Sequence, residues 1–158
     1  MKLGKIIDGL KNRQANWCGS AREAYYDKKS NLVFKRVKDC SRYDLIHYNW
    51  SLQQHQKEIE LFQKMTEEEK KIFPVITVYT DKTSQKKEQW IVMKKAKHFR
   101  NYEWPDPSDD DFLEWAEEKG FINGEEFLAF IRKYNLRDVY TDNIGYIGHR
   151  LIVVDSGI

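Results

Sequence analysis

The sequence predicts an α+β fold, and three observations support this class. Short β-type runs separated by polar turns fill much of the first half of the chain, at residues 23–26, 32–37, 75–80 and 89–93. One long segment without Gly or Pro, residues 41–65, falls between these runs and has the apolar spacing of a helix. The last third contains two short amphipathic segments and one more pair of β-type runs. Strands and helices segregated in this way are typical of α+β proteins with antiparallel sheets.

The four β-type runs of the first part predict two hairpins. A loop of small residues, 18–22, precedes the first run, and the polar segment 28–31 makes the turn into the second. The third and fourth runs are joined by the long polar loop 81–88.

The predicted long helix lies between the two hairpins. Ser51 is a candidate for the start of its regular part. The charged run 67–71 favours a solvated helix end or turn, and Pro74 ends the helical pattern. The apolar positions of the segment are Leu45, Ile46, Leu52, Ile59, Leu61, Phe62 and Met65.

The last third predicts a helical pair and a terminal hairpin. Residues 94–98 form a connector, and the Pro-containing segment 104–109 forms a rigid turn that ends in good N-cap residues. A short helix with Phe112, Leu113, Trp115 and Ala116 on its apolar face should stop at Gly120. A second helix should begin near Asn123, with Glu125 and Glu126 in its first turn and an apolar face of Phe127, Leu128, Phe130 and Ile131. The strands of the hairpin are residues 144–147 and 150–154.

The composition excludes several functional classes. The chain has 158 residues, and 27 basic against 25 acidic side chains give a net charge of +2, which provides no field for steering to nucleic acid or a membrane. Cys18 and Cys40 have no metal-binding spacing, and no pattern supports a disulfide between them, so we expect a cytoplasmic protein. The four scattered histidines predict no zinc site. No apolar stretch approaches a signal peptide or a transmembrane helix.

Five polar residues, in a fixed order, carry most of the chemical information: Lys35, Glu58, Asp138, Asn143 and Asp155. Asn143 follows Asp138 by five residues, and Asp155 begins an Asp-x-Gly motif after an apolar strand. A hairpin between Asn143 and Asp155 would bring two oxygen ligands together, which suits magnesium. The segment 141–143 taken alone is more often a turn than a metal site, so the prediction depends on the combination.

The combination resembles the motifs of the protein-kinase-like superfamily. Residues 19–25, 90–93 and 138–146 are most similar to compact bacterial or phage kinase-like proteins. The resemblance implies an antiparallel-sheet N-lobe with one helix over residues 1–94 and a much-reduced helical C-lobe over residues 95–158. It also implies a single minimal domain that lacks the region which kinases carry after the Asp-x-Gly motif.

The resemblance assigns roles to the upper-lobe residues. Lys35 would hold the α- and β-phosphates of ATP, and Glu58 would pair with Lys35 and orient it. Glu60 is a rival for this pairing, and helix geometry places it about 200° away from Glu58, so only one of the two can face the strand. An exposed strand lysine is the alternative interpretation of Lys35 taken alone.

The resemblance also implies a nucleotide site and a catalytic loop. Asp138 would act as the catalytic base, and Asn143 with Asp155 would bind magnesium. Gly19 and Ser20 would lie in the phosphate loop. The backbone from Met93 to Ala96 would form the hinge that binds the adenine edge, and the apolar contacts with the base would come from Val33, Val92 and either Ile152 or Val154.

The expected function is therefore ATP- and magnesium-dependent phosphoryl transfer to a protein hydroxyl, as in a minimal serine/threonine kinase that phosphorylates a protein or itself. Departures from the family pattern leave a second functional class open. Gly19 alone remains of the usual three glycines, Leu136 replaces a His, and Ser156 replaces a Phe. Tyr140 stands where kinases have a Lys and related families a His. The alternative is a pseudokinase that binds nucleotide and regulates a partner. Neither function predicts a nucleic acid or membrane partner.

Overall fold

The computed structural model describes residues 2–18, 22–37, 45–85, 87–99, 103, 106–137, 139–140 and 143–155. It confirms the predicted α+β class, with a five-stranded antiparallel sheet and a separate three-stranded sheet. The chain divides into two compact units. The first unit contains residues 1–60 and 75–95, and the second contains residues 61–74 and 96–158. Residues 61–74 therefore group with the second unit, although the sequence suggested a boundary near residue 94 alone.

The five-stranded sheet forms the framework of the first unit. Its strands lie in the order β1-β2-β3-β5-β4. The predicted hairpin β2–β3 is confirmed, and its turn contains Asn31 with φ 58°. The predicted hairpin β4–β5 is also confirmed. The bounds of the strands are Trp17–Cys18 (β1), Arg22–Asp27 (β2), Leu32–Val37 (β3), Val75–Thr80 (β4) and Gln89–Lys94 (β5).

Helix α1, Leu3–Leu10, covers one face of this sheet and was not among the predicted elements. Its apolar side chains recur at the helical spacing of Leu3, Ile6, Ile7 and Leu10. Ile7 and Leu10 are buried in a core whose other members, all on the sheet, are Tyr25, Leu32, Phe34, Trp90 and Val92. The helix is therefore held by an apolar stripe against the sheet.

Helix α2, Leu45–Lys64, confirms the predicted long helix within the described residues. Ser51 does not start its regular part, because the helix begins six residues earlier. The Ser51 hydroxyl instead donates a hydrogen bond to the carbonyl of His47, 2.8 Å away, one turn back along the helix. After α2, a short 3₁₀ turn at Glu69–Lys71 agrees with the predicted solvated turn. Reciprocal hydrogen bonds between Thr66 and Glu69 stabilise its start.

The second unit contains the three-stranded sheet β6-β7-β8 and two helices. The helical pair and the hairpin β7–β8 were predicted and are confirmed, whereas β6 lies in the segment predicted as a connector. Asn123 precedes α4 as expected, but its side chain bonds the backbone of Leu151 in β8, with distances of 2.8 and 2.9 Å. The bounds are Lys97–His98 (β6), Phe112–Glu118 (α3), Gly124–Lys133 (α4), Ile144–Ile147 (β7) and Arg150–Val153 (β8).

An aromatic cluster occupies the second unit beside β7. The rings of Phe99, Trp115, Phe121 and Tyr146 lie with their centroids 5.1 to 5.8 Å apart. Such tilted and edge-on arrangements are the favoured geometries of aromatic pairs. The cluster links α3 to β7. In the described part of the chain, no helix has both the length and the apolar character needed to cross a membrane.

Candidate functional site

A buried ion pair connects β3 to α2 in the first unit. Nζ of Lys35 lies 2.6 Å from Oε1 of Glu58, and the two residues are 5% and 1% exposed. Glu60 is exposed on the same helix. The predicted pairing of Lys35 with Glu58 is confirmed, and the alternative pairing with Glu60 is wrong because the helix turns Glu60 to solvent. Lys35 is not an exposed strand lysine.

Arg22 binds the second oxygen of the same carboxylate. Its Nη2 atom lies 2.9 Å from Oε2 of Glu58, and Arg22 is 6% exposed. Burial by itself would raise the pKa of the Glu58 carboxyl, but the Arg22 guanidinium and the Lys35 ammonium hold this pKa well below its usual value. Glu58 is therefore an anion that two cations on neighbouring strands share. No motif in the sequence assigns a role to Arg22.

His55 lies one turn before Glu58 on α2 and is also buried. Its Nε2 atom is 2.9 Å from the carbonyl oxygen of Gln89. Burial, together with the positive charge of Arg22, lowers the pKa of His55 from 6.5 to about 4, against the opposing charge of Glu58. His55 is therefore neutral at pH 7, and because a carbonyl can only accept, Nε2 carries the hydrogen. The scattered spacing of the histidines argues only against a zinc site and gives no signal for the buried position of His55.

The β3–β5 register decides which predicted nucleotide contacts share a face with Lys35. Val33 pairs with Met93, and Lys35 pairs with Ile91, so these side chains lie on one face of the sheet. Val33 is 8% exposed and Met93 is 2% exposed. The expectation that Val92 would contact the base is wrong. Val92 pairs with Phe34 on the opposite face, in the core with α1.

Asn143 and Asp155 lie at the same end of the β7–β8 hairpin in the second unit. The carbonyl oxygen of Asn143 accepts hydrogen bonds from the backbone N–H groups of Val154 at 2.8 Å and Asp155 at 3.5 Å. Both residues are half-buried. The sequence predicts that a hairpin brings Asn143 and Asp155 together, and this backbone geometry agrees with that prediction. The hairpin also buries Ile152, while Val154 is half-buried.

The hairpin residues fit a magnesium ion chemically. One amide and one carboxylate provide oxygen donors, and magnesium usually takes few protein oxygens and completes its shell with water and phosphate. In the described residues, no group of three or more His, Cys, Asp or Glu side chains is arranged to hold a metal ion. The amide of Asn143 and the carboxylate of Asp155 supply two oxygen donors of the kind that magnesium takes.

Ala96 lies beside the β6–β7 ladder and is 5% exposed. A Cβ atom added at Gly145 would lie 3.1 Å from the Cβ atom of Ala96 and 2.6 Å from the carbonyl oxygen of Lys97. Gly145 therefore permits a close approach of the two strands. Ala96, at the end of the segment where the sequence predicts the hinge, is one side of this close approach.

Several predicted positions lie outside the described residues, namely Gly19, Ser20 and Asp138, and so does Cys40. Cys18 is a free and exposed cysteine. Arg137, next to the predicted catalytic base, is exposed, and Tyr140 is 47% exposed.

No protein-family model matches this sequence, and a search of the curated proteins gives no match. The functional assignment therefore depends on the geometry of the described residues and on their chemistry.

Proposed function

We propose that this chain is a phosphotransferase of protein-kinase-like fold that transfers the γ-phosphoryl group of Mg-ATP to a serine or threonine hydroxyl of a protein or of the chain itself. The observation that carries this proposal is the buried Lys35–Glu58 pair, in which a central strand and a long helix each contribute one side chain. An ammonium held in this way is suited to binding phosphate oxygens.

Burial of these charges favours a functional interpretation over a purely structural one. Lys35 and Glu58 lose most of their hydration, and the attraction between buried charges often does no more than offset that loss. Apolar side chains of similar size would often stabilise a fold equally well. Charged groups with strongly perturbed pKa values are enriched at functional sites, and the pKa of Glu58 is one such value.

Each proposed role uses a side chain of this sequence. Lys35 would hold the phosphates, Glu58 would orient Lys35, and Asn143 with Asp155 would supply oxygen ligands to magnesium. Asp138 would accept the proton of the acceptor hydroxyl. The hydroxyl oxygen would then form a bond to the γ-phosphorus while the bond between that phosphorus and ADP breaks. Bound magnesium would neutralise charge on the phosphate oxygens.

The remaining roles concern the nucleotide. Gly19 and Ser20 would contribute backbone N–H groups to the phosphates, and the backbone of Met93 and Ala96 would bind the adenine edge. Val33 supports this assignment because it shares a face of the sheet with Lys35 and Met93. The protein-kinase-like fold is part of the same proposal, supported by the five-stranded antiparallel sheet with α2 joined to β3 through the ion pair.

The direct test is transfer of labelled phosphate. The purified chain should be incubated with γ-labelled ATP and magnesium, with and without a cell lysate as a source of acceptors, and compared with the variant Asp138→Asn. We expect the wild type to label itself or a lysate protein. We expect Asp138→Asn to keep its ATP affinity and to lose transfer by on the order of 100-fold or more, the scale typical of losing a general base.

Asp110→Asn is a matched control, because Asp110 is exposed and has no proposed role. This variant should transfer phosphate at the wild-type rate. If the wild type binds ATP but labels neither itself nor any lysate protein, the phosphotransferase proposal fails.

A second candidate function is a nucleotide-binding module that regulates a protein partner. The observation that favours it is the apolar surface of the N-terminal half of α2, where Leu45, Ile46 and Trp50 are 68%, 80% and 49% exposed. Large apolar side chains that are exposed together often mark a protein interface. If Asp138→Asn lost transfer but kept the full biological effect of the chain, this second function would be favoured.

A further inference from the structure

Arg22, Lys35 and Glu58 form a buried ion cluster. The proposed function gives roles to Lys35 and Glu58 but none to Arg22. We propose that Arg22 is a positioning residue, which acts through Glu58 to hold Lys35 in the orientation that phosphate binding requires. The inference rests on the proposed function, in which Lys35 contacts the phosphates of ATP.

The geometry places one cation on each oxygen of a single carboxylate. Nη2 of Arg22 lies 2.9 Å from Oε2 of Glu58, and Nζ of Lys35 lies 2.6 Å from Oε1. Ala24 pairs with Lys35 across the β2–β3 ladder, and Arg22 precedes Ala24 by two residues. Because side chains alternate along a strand, Arg22 and Lys35 project from the same face of the sheet toward α2. Glu58 is thus fixed from two neighbouring strands.

Two bonds orient a carboxylate more strictly than one bond. The terminal torsion of a glutamate side chain has a broad energy profile, so a carboxylate bonded only through Oε1 can rotate. The planar guanidinium of Arg22 donates to Oε2 in a defined direction and restricts that rotation. The bond from Oε1 to Lys35 then keeps a fixed direction, and the ammonium group is held at one place on the sheet.

Burial makes this restraint effective. Arg22, Lys35 and Glu58 are 6%, 5% and 1% exposed, so water has little access to replace either bond. Charged hydrogen bonds are stronger in such an environment than at the surface. Burial and the charge of Arg22 also keep His55, the neighbouring buried side chain, neutral, so His55 does not compete as a cation for Glu58 at pH 7.

Arg36 provides a matched control for the loss of a strand arginine. It follows Lys35 on β3 and points to the other face, where it pairs with Glu23 at 3.2 Å and with Glu88 at 3.4 Å. Its guanidinium also lies over the ring of Trp90. Arg36→Met therefore removes ion pairs from the same sheet without changing the contacts of Glu58.

The first experiment measures the reactivity of Lys35 and does not depend on enzyme activity. Wild type, Arg22→Met, Glu58→Gln and the double variant are treated with an amine-acylating reagent, and the modification of Lys35 is followed over time by peptide mass mapping. We expect each single variant to accelerate labelling of Lys35 by about tenfold and the double variant to add less than about twofold, because residues that act as one unit are not additive. Arg36→Met should leave the labelling rate of Lys35 within about twofold of wild type.

The second experiment measures transfer of phosphate from Mg-ATP with the same variants. Arg22→Met should lower kcat by about tenfold, and Arg22→Lys should recover part of that loss because it restores the charge without the planar fork. Arg36→Met should keep kcat within about twofold, even if its thermal stability falls. A loss of stability alone would lower Tm for both arginine variants and would not distinguish their kcat values.

The labelling results decide the proposal. If Arg22→Met leaves the labelling of Lys35 unchanged, or if its effect multiplies with that of Glu58→Gln, Arg22 does not act through Glu58 and the inference is overturned. If Arg22→Met fails to fold, Arg22→Lys takes its place in the cycle, and unchanged labelling in that variant overturns the inference equally. If the labelling effects are coupled but the wild type transfers no phosphate, the positioning role stands and only the phosphotransferase proposal fails.

Discussion

At the scale of single residues, the environment of His55 makes stability depend on pH. The side chain is 4% exposed, and burial with the nearby charge of Arg22 lowers its pKa from 6.5 to about 4. Between these two values the unfolded chain binds a proton at this position and the folded chain does not. The free energy of unfolding should therefore fall as the pH is lowered through this range and should be fully retained above pH 6.5.

The variant His55→Gln tests this link. It keeps an amide N–H that can reach the carbonyl of Gln89 but does not titrate. Wild type should lose roughly 1.4 kcal/mol per pH unit between pH 6.5 and 4 from this one group, up to about 3 kcal/mol in total, and His55→Gln should lack that component. Urea unfolding at several pH values measures the difference.

Gln53→Ala is the control for this prediction, because Gln53 lies exposed on the same helix and does not titrate. The pH dependence of this variant should match that of wild type. A pH dependence for His55→Gln that equals the wild-type curve would show that His55 is protonated equally in the folded and unfolded chains.

At the scale of secondary-structure elements, the close approach of β6 and β7 depends on a single glycine. A Cβ atom at Gly145 would lie 2.6 Å from the backbone oxygen of Lys97 and 3.0 Å from Cγ2 of Val154. A backbone atom cannot move aside as the end of a long side chain can. The strand pair would have to separate, or β7 would have to shift.

We therefore expect Gly145→Ala to destabilise the protein by about 1–3 kcal/mol, the usual cost of overpacking. Gly9→Ala is the matched control, because no heavy atom lies within 4 Å of a Cβ atom added at Gly9 in α1. That variant should stabilise the chain by about 0.5–1 kcal/mol, since alanine favours a helix over glycine. Thermal unfolding of both variants provides the comparison, and a neutral Gly145→Ala would contradict the close packing of the two strands.

The elements that the sequence predicted correctly are those with local signals. The hairpin β2–β3 has a polar turn between two β-type runs, and α4 has Asn123 and two acidic residues at its start. Helix α1 also has a local signal, the apolar spacing from Leu3 to Leu10, but a segment of 8 residues is too short for that spacing alone to predict a helix. Its packing against the sheet, which no local pattern reveals, is what stabilises it.

Part of the candidate site was predicted correctly. The predictions that failed concern contacts between residues that are far apart in the sequence. Helix phase showed that only one of Glu58 and Glu60 can face β3, but the position of the helix on the sheet was needed to choose between them. The role of Arg22 depends on the β2–β3 register, and the face of Val92 depends on the β3–β5 register. A change of one residue in register would reverse both faces, so pairing between distant strands decides these contacts.

At the scale of the whole molecule, the residues with proposed roles are divided between the two units. The first unit contains the cluster of Arg22, Lys35 and Glu58, and the second contains Asn143 and Asp155. A ligand that binds only the folded chain raises its apparent stability by mass action. Thermal stabilisation by ATP, with and without magnesium, therefore tests nucleotide binding without requiring an acceptor substrate.

The variant Asp155→Ala removes the only carboxylate among the proposed magnesium ligands, and its effect should depend on magnesium. With ATP at about 100 times its Kd, Mg-ATP should stabilise the wild type by about 2.7 kcal/mol, and this gain should be much smaller in Asp155→Ala. Stabilisation by ATP with a chelator present should differ little between the two proteins, because the metal no longer contributes. Asp110→Ala, an exposed aspartate of the same unit, should respond as wild type. Equal stabilisation of Asp155→Ala and wild type by Mg-ATP would remove Asp155 from the metal site, and with it the strongest reason to expect magnesium at the end of the β7–β8 hairpin.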